Sequence, residues 1–168
     1  IVTFGRFEQD YNLENGMEPI AWVVLDVRDN KALLISNYTL IFKCYNDYGL
    51  PPANWENCTL RAWLNNEFYQ HVFSAEEKSA ILLTNVVNRV DGKVWYSNAA
   101  DTQDYIFLLS MDEAYSYFPD DESRIRYTTR FAEVSVYYQE GEHRMCPWWV
   151  RSSYDFSYEK APGFDYNL

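Results

Sequence analysis

The apolar and polar positions of the chain fall into short runs that predict strands first, then short helices. Residues 20–27 and 31–36 are apolar, β-branched runs. Arg28, Asp29 and Asn30 between them tolerate positive φ, so the pair predicts a β-hairpin. Val2, Phe4 and Phe7 form an earlier alternating stretch around Gly5 that is expected to pair beside it. After a loop containing Pro51 and Pro52, the period changes. Leu60, Trp63, Leu64 and Phe68 recur at helical spacing behind Thr59, the predicted N-cap, and are expected to face the core.

A second short helix is predicted from Ser74, whose spacing to Glu77 is that of a capping box, with Ala80, Ile81 and Leu82 closing its apolar side. Residues 83–90 read as extended, and Asp91-Gly92 is a turn signal before Val94, Trp95 and Tyr96. Residues 105–109 are a fully apolar run that predicts a strand. Ser110 and Glu113 form another capping box, opening a helix through Tyr117 that Pro119 stops. Residues 123–147 are the least legible; a helix over 128–136 and a turn at Glu140-Gly141-Glu142 fit them. Residues 148–152 again look extended. No repeat or linker interrupts the series, and the expectation is a single α+β domain over 1–168, with more strand than helix.

Composition supports a globular class. Of 168 residues, 48% are hydrophobic and 23% charged, with six Gly and six Pro, which excludes collagen-like, low-complexity and disordered chains. No apolar run reaches the roughly 18 residues of a membrane span, so the domain itself is not expected to insert in a bilayer. The formal net charge of −11 repels phosphate backbones and argues against nucleic-acid partners. The chain opens at Ile1 rather than Met, which fits removal of an export signal or an upstream anchor.

Aromatic content changes the picture most. Fifteen Tyr, ten Phe and six Trp are more than one core of this size absorbs, because every buried phenol needs a hydrogen-bond partner. Many Tyr must therefore reach the surface, where rigid amphipathic rings serve recognition at small entropic cost. Alternation in the 148–152 run puts Trp148 and Val150 on one face, read as buried, and Trp149 and Arg151 on the other. An indole beside a guanidinium suits stacking or cation–π contact; bracing of the fold by Arg151 is the alternative. Trp95, Tyr96, Trp149 and Arg151 are thus the candidate ligand-binding residues.

Other chemistry finds less support. Cys44, Cys58 and Cys146 lack any zinc spacing, and the only histidines are His71 and His143. A Cys44–Cys58 disulfide fits an exported protein, but reduced thiols are the expected state. His143 and Cys146 sit three apart with no orienting third residue, so no catalytic dyad is assigned. Asp120, Asp121 and Glu122 read as a helix first turn or solvated loop, since no DxDxDG calcium spacing exists. No cofactor and no metal site is expected. Two carboxylates, for example Asp101 or Asp104 with Glu113, would suit an enzyme acting on glycans, although carboxylates are numerous and nothing in the spacing singles out a pair.

Four blocks carry a resemblance. They are Phe4-Gly5-Arg6-Phe7-Glu8-Gln9-Asp10 with Glu18-Pro19-Ile20-Ala21-Trp22 and the hairpin; Trp55 with Cys58, Leu60, Arg61, Trp63 and Asn65; Asp104 with residues 106–110 and Glu113; and Trp148-Trp149-Val150-Arg151-Ser152. Together they resemble a widespread bacterial family of uncharacterised domains, common in gut Firmicutes and often carried behind an envelope anchor. That family resembles the C-type-lectin-like fold, as do formylglycine-generating-enzyme and retroelement-variable domains. The resemblance implies a twisted, mostly antiparallel sheet with flanking helices and loops that present a binding face. It also implies further strands after the Trp-Trp block, which residues 154–168 do not carry, so the expectation is either a chain that lacks the last family strands or a C-terminus that has diverged. Glu18-Pro19 and Trp55-Glu56-Asn57 do not match the motifs of calcium-dependent sugar-binding lectins. The expected function is a non-catalytic recognition module of the bacterial cell surface, binding a protein or glycan, as a monomer or weak dimer. A ligand-free spacer is the alternative, and a carboxylate-based enzyme a weaker one. The expected location is extracellular or anchored at the envelope, with the cytoplasm as the alternative.

Overall fold

A computed structural model describes residues 1–51, 53–88, 99–136, 145–146 and 148–152. The architecture is α+β, with short helices and small sheets. The residues group into two compact units, each assembled from three separate stretches of chain. The first comprises 1–42, 72–77 and 125–148; the second 43–71, 78–124 and 149–168.

The first unit is built on a three-stranded antiparallel sheet, β1 (Val2–Phe7), β2 (Glu18–Arg28) and β3 (Lys31–Ser36). The predicted hairpin is present. Arg28 pairs with Lys31, and Asp29 and Asn30 between them both adopt positive φ, 48° and 58°, as a tight two-residue turn requires. The β1–β2 register shifts between Thr3 and Arg6, and Gly5 sits in that irregularity at φ 71°. A Cβ there would lie 2.7 Å from the Phe73 ring, so glycine serves both the backbone and the packing.

Phe73 packs on Phe4 and Trp22 with ring centroids 5.5 and 6.4 Å away, and the Trp22 indole donates to the Phe4 carbonyl. A second small sheet joins β4 (Tyr38–Thr39) parallel to β7 (Arg126–Thr128), which pairs antiparallel with β8 (Met145–Cys146). The helix expected over 128–136 instead begins after the strand, as α6 (Arg130–Val136). Thr129 separates the two: its hydroxyl accepts from Ala132 N and donates to the Leu40 carbonyl. The Ser74–Glu77 capping box forms as spaced, and opens α3 (Ala75–Ala80).

In the second unit, α1 (Thr59–Trp63) runs through a π-helical turn (Leu64–Phe68) toward α2 (Tyr69–Val72). Leu60, Leu64 and Phe68 are buried as the spacing predicts, whereas Trp63 is only half-buried. Cys58, not Thr59, caps α1: its Sγ accepts from Arg61 N, while the Thr59 hydroxyl accepts from Asp47 N. β5 (Thr84–Val86) pairs antiparallel with β6 (Thr102–Asp104). The turn expected at Asp91-Gly92 and that at 140–142 lie outside the described residues.

The strand expected at 105–109 does not form. Its backbone is held by side chains instead: Asn65 accepts from Tyr105 N and Ile106 N and donates to the Ile106 carbonyl, and Arg151 donates to the Leu108 carbonyl. α4 (Met111–Tyr117) starts on the full Ser110–Glu113 capping box and ends before Pro119. α5 (Asp121–Arg124) follows, with Asp120 accepting from Ser123 N, so the acidic trio opens a helix.

Candidate functional site

Among the described residues of the second unit, one group of aromatic side chains lies around Trp149. The chain leaves the first unit's last stretch at Trp148, which is half-buried, and Trp149 follows with 37% of its surface exposed. Its indole N–H donates to the Lys43 carbonyl at 2.9 Å, and its ring lies 5.6 Å from that of Tyr45. The Lys43 ammonium stands 5.0 Å over the Trp63 ring, which in turn packs 5.2 Å from Phe68. From the buried Phe68 the contacts run to the Trp63 indole, to the Lys43 ammonium over it and, through the Lys43 carbonyl, to the Trp149 indole and the Tyr45 ring.

The loop after Lys43 is tied at its base. Asn46 accepts from Thr59 N and donates to the Pro51 carbonyl, and the Tyr45 carbonyl accepts from Leu60 N. That anchoring leaves Tyr48 fully exposed and Leu50 more than half exposed at the loop's far end. Burial raises the Tyr45 phenol far above its ordinary pKa, with Cys58 beside it adding to the effect, so Tyr45 stays neutral. Burial also raises the Cys58 thiol, which marks it as a packed, unreactive group. Cys44 and Cys58 are both free thiols, and no disulfide joins them.

A second ring pair lies in the same unit. Tyr69 and Tyr105 stack at 4.4 Å and 10°, with the Lys78 ammonium 5.8 Å over Tyr69. Tyr105 is partly exposed and Tyr69 is buried beneath it.

Arg151 occupies a different setting from Trp149. Residues 151 and 152 bend, the two-residue period breaks, and Arg151 is buried next to the buried Val150. Its guanidinium donates to both Glu113 carboxylate oxygens, at 2.5 and 2.9 Å, and to the carbonyls of Leu108 and Val87. Its backbone N–H donates to Leu109. Arg151 therefore braces the start of α4 and the irregular 105–109 segment, the bracing alternative that its planar fork allows. Trp95 and Tyr96 lie outside the described residues, as does His143, and the Cys146 side chain is likewise outside them.

The carboxylates considered for acid–base chemistry are engaged. Asp104 is fully buried and accepts from Trp55 Nε1 at 2.9 Å, Arg61 Nε at 2.7 Å and Thr102 Oγ1 at 2.6 Å. Asp101 accepts from Asn88 N. Burial alone would push the Glu113 carboxyl up, but the Arg151 guanidinium and the Ser110 donors outweigh it and hold the group below the usual range. A group held ionised in this way is a poor general acid near neutrality.

A family model described as Domain of unknown function (DUF6273) matches residues 29–162. The chain belongs to the DUF6273 family. No curated protein and no solved structure matches it. The DUF6273 match begins in the β2–β3 turn and takes in Tyr45, Trp63, Asp104, Glu113, Trp149 and Arg151. It leaves out β1 and the carboxylate-rich segment that joins β1 to β2.

Sequence reasoning named Trp149 as a candidate but not Lys43 and Tyr45, which the structure brings against it. Their signal was present only as a Lys-Cys-Tyr-Asn-Asp-Tyr run in a loop, which no periodicity highlights. The Asp104 node was equally hidden, because its donors come from positions 55, 61 and 102.

Proposed function

We propose that this DUF6273 domain is a non-catalytic recognition module, C-type-lectin-like in fold and displayed on the bacterial cell surface, that binds a protein or glycan through the rings around Trp149. The observation that carries the reading is the Trp149 indole: open to solvent on one side, yet fixed by its N–H bond to Lys43 and its contact with Tyr45. A ring held in one pose offers contact area at little entropic cost, as binding hot spots do. Trp63, under the Lys43 ammonium, extends the face, while the Arg151 guanidinium is taken up by Glu113 and the carbonyls of Leu108 and Val87. The engagement of Asp104 and Glu113 in hydrogen bonds and ion pairs supports the non-catalytic part. The antiparallel hairpin sheet, the short helices and the Trp-Trp-Val-Arg-Ser block support the lectin-like part.

The test is an array of glycans and of extracellular proteins probed with the wild-type chain, with chelator present and absent. Trp149→Ala should weaken any retained ligand by about thirtyfold, the equivalent of ~2 kcal/mol at a hot spot, and Trp149→Phe by less. Binding that survives Trp149→Ala unchanged removes this face. An array blank for the folded wild type favours the spacer reading.

A further inference from the structure

The segment after β1 and the first residue of β2 gather three carboxylates. Phe7 pairs with Glu18 at the open end of the ladder, so Glu8 and Glu18 stand side by side where the strands part. The chain then turns back on itself, with Tyr11 at φ 65° and Gly16 at φ 83°, and brings Asp10 to the same place. One carboxylate oxygen from each of Glu8, Asp10 and Glu18 lies within 4.8 Å of the others. Among the described residues, no Lys or Arg forms an ion pair with any of the three.

Acidic side chains often crowd at a surface, where water separates their charges. Glu8 does not fit that description. It is only 8% exposed, and its Oε1 is buried with no hydrogen-bond partner. A buried carboxylate oxygen without a donor is costly unless something positive meets it. Meanwhile the other two carboxylates are held in place from behind. Asp10 accepts from Asn12 N and Asn15 Nδ2, both at 2.8 Å, and Glu18 accepts from Gln9 N at 2.7 Å. Each oxygen keeps a lone pair beyond those bonds.

We propose that Glu8, Asp10 and Glu18 hold a calcium ion in the β1–β2 loop. Oxygen-only ligands select a hard cation, and the absence of His and Cys from the set disfavours zinc. Calcium–oxygen distances of about 2.4 Å give a coordination sphere roughly 4.8 Å across, the limit within which these three oxygens fall. An irregular loop with ligands from both strand ends suits calcium, which takes six to eight oxygens in adaptable geometry, better than magnesium, which demands a near-ideal octahedron. Backbone carbonyls or water would complete the shell. The spacing rule that assigned no calcium site reads one contiguous loop motif; here two ligands come from the loop and one from the next strand. The site lies outside the DUF6273 match and does not rest on the recognition reading.

Calorimetric titration of the chelator-stripped chain with calcium chloride tests it. One saturable site per chain is expected, with a rise of several degrees in melting temperature. Glu8→Gln, which keeps the shape and relieves the crowding of charge, should weaken calcium by at least about tenfold, and Asp10→Asn should do likewise. Glu122→Gln, an acidic change elsewhere, should leave the affinity unchanged. No saturable heat up to about 10 mM calcium, beyond the weakest class of protein sites, overturns the proposal. So does unchanged affinity in both Glu8→Gln and Asp10→Asn, or magnesium binding as tight as calcium.

Discussion

The two units solve the same problem, satisfying buried backbone, by opposite means. In the first, main chain pairs with main chain: β1, β2 and β3 form a ladder, and the aromatic rings of Phe4, Trp22 and Phe73 fill in beside it. In the second, side chains do much of the pairing. Asn65 replaces a strand neighbour for residues 105 and 106, Arg151 serves three carbonyl or carboxylate partners, and Asp104 gathers three donors. A ladder tolerates the loss of one side chain, because its bonds belong to the backbone. A side-chain node does not, because each truncation strands several partners at once.

The sharpest way to break this contrast is at Asp104. Asp104→Ala removes the acceptor of Trp55, Arg61 and Thr102 at a fully buried position and should cost about 3–5 kcal/mol in denaturant unfolding. Asp104→Asn keeps the shape and one acceptor oxygen and should cost less. Equal, small losses for both would show that the node is not what holds the second unit.

In the first unit the largest single effect is expected at a residue with no side chain. Gly5→Ala sets a Cβ 2.7 Å from the Phe73 ring at φ 71°, so strain and overpacking act together. The expected loss is about 2–3 kcal/mol, below that of Asp104→Ala. A companion change, Phe73→Leu in the Gly5→Ala background, should recover part of it by yielding space. Failure to recover would assign the cost to backbone strain alone.

This difference also decided what the sequence disclosed. The β2–β3 hairpin was legible because the cause is local: β-branched runs flank two residues that accept positive φ. Both capping boxes were legible for the same reason, the partners being three residues apart. The 105–109 run misled because an apolar stretch signals burial, not ladder pairing, and the bonds that replace the ladder come from Asn65 and Arg151, about 40 positions away. Alternation failed at 148–152 because the chain bends at Arg151, so Val150 and Arg151 are both buried. Of the four candidate contact residues, Trp149 is partly exposed, Arg151 is buried, and Trp95 and Tyr96 lie outside the described residues. The Glu8, Asp10 and Glu18 cluster escaped because register, not spacing, brings Glu18 to the loop.

The smallest expected effect separates the units by how they hold a charge. Glu113 in the second unit and Glu77 in the first are both kept below the ordinary glutamate value of 4.5, for different reasons. For Glu113, burial opposes ionisation and Arg151 overcomes it. For Glu77 the donors are the backbone N–H groups of Gly5 and Ser74. A carboxyl whose folded pKa is depressed adds stability above its unfolded value and loses it as pH falls through the folded one. Both groups should therefore contribute to a decline in stability from about pH 4.5 downward, and Glu113→Gln or Glu77→Gln should each make that decline shallower. Salt tells them apart. The Glu113 side chain is 38% exposed, so ions screen its attraction to Arg151, whereas short backbone bonds to Glu77 are insensitive to ionic strength. Raising salt should shrink the difference between wild type and Glu113→Gln and leave that between wild type and Glu77→Gln in place. Equal salt sensitivity in the two acid titrations would contradict the contrast between a charge held by a side chain and one held by the main chain.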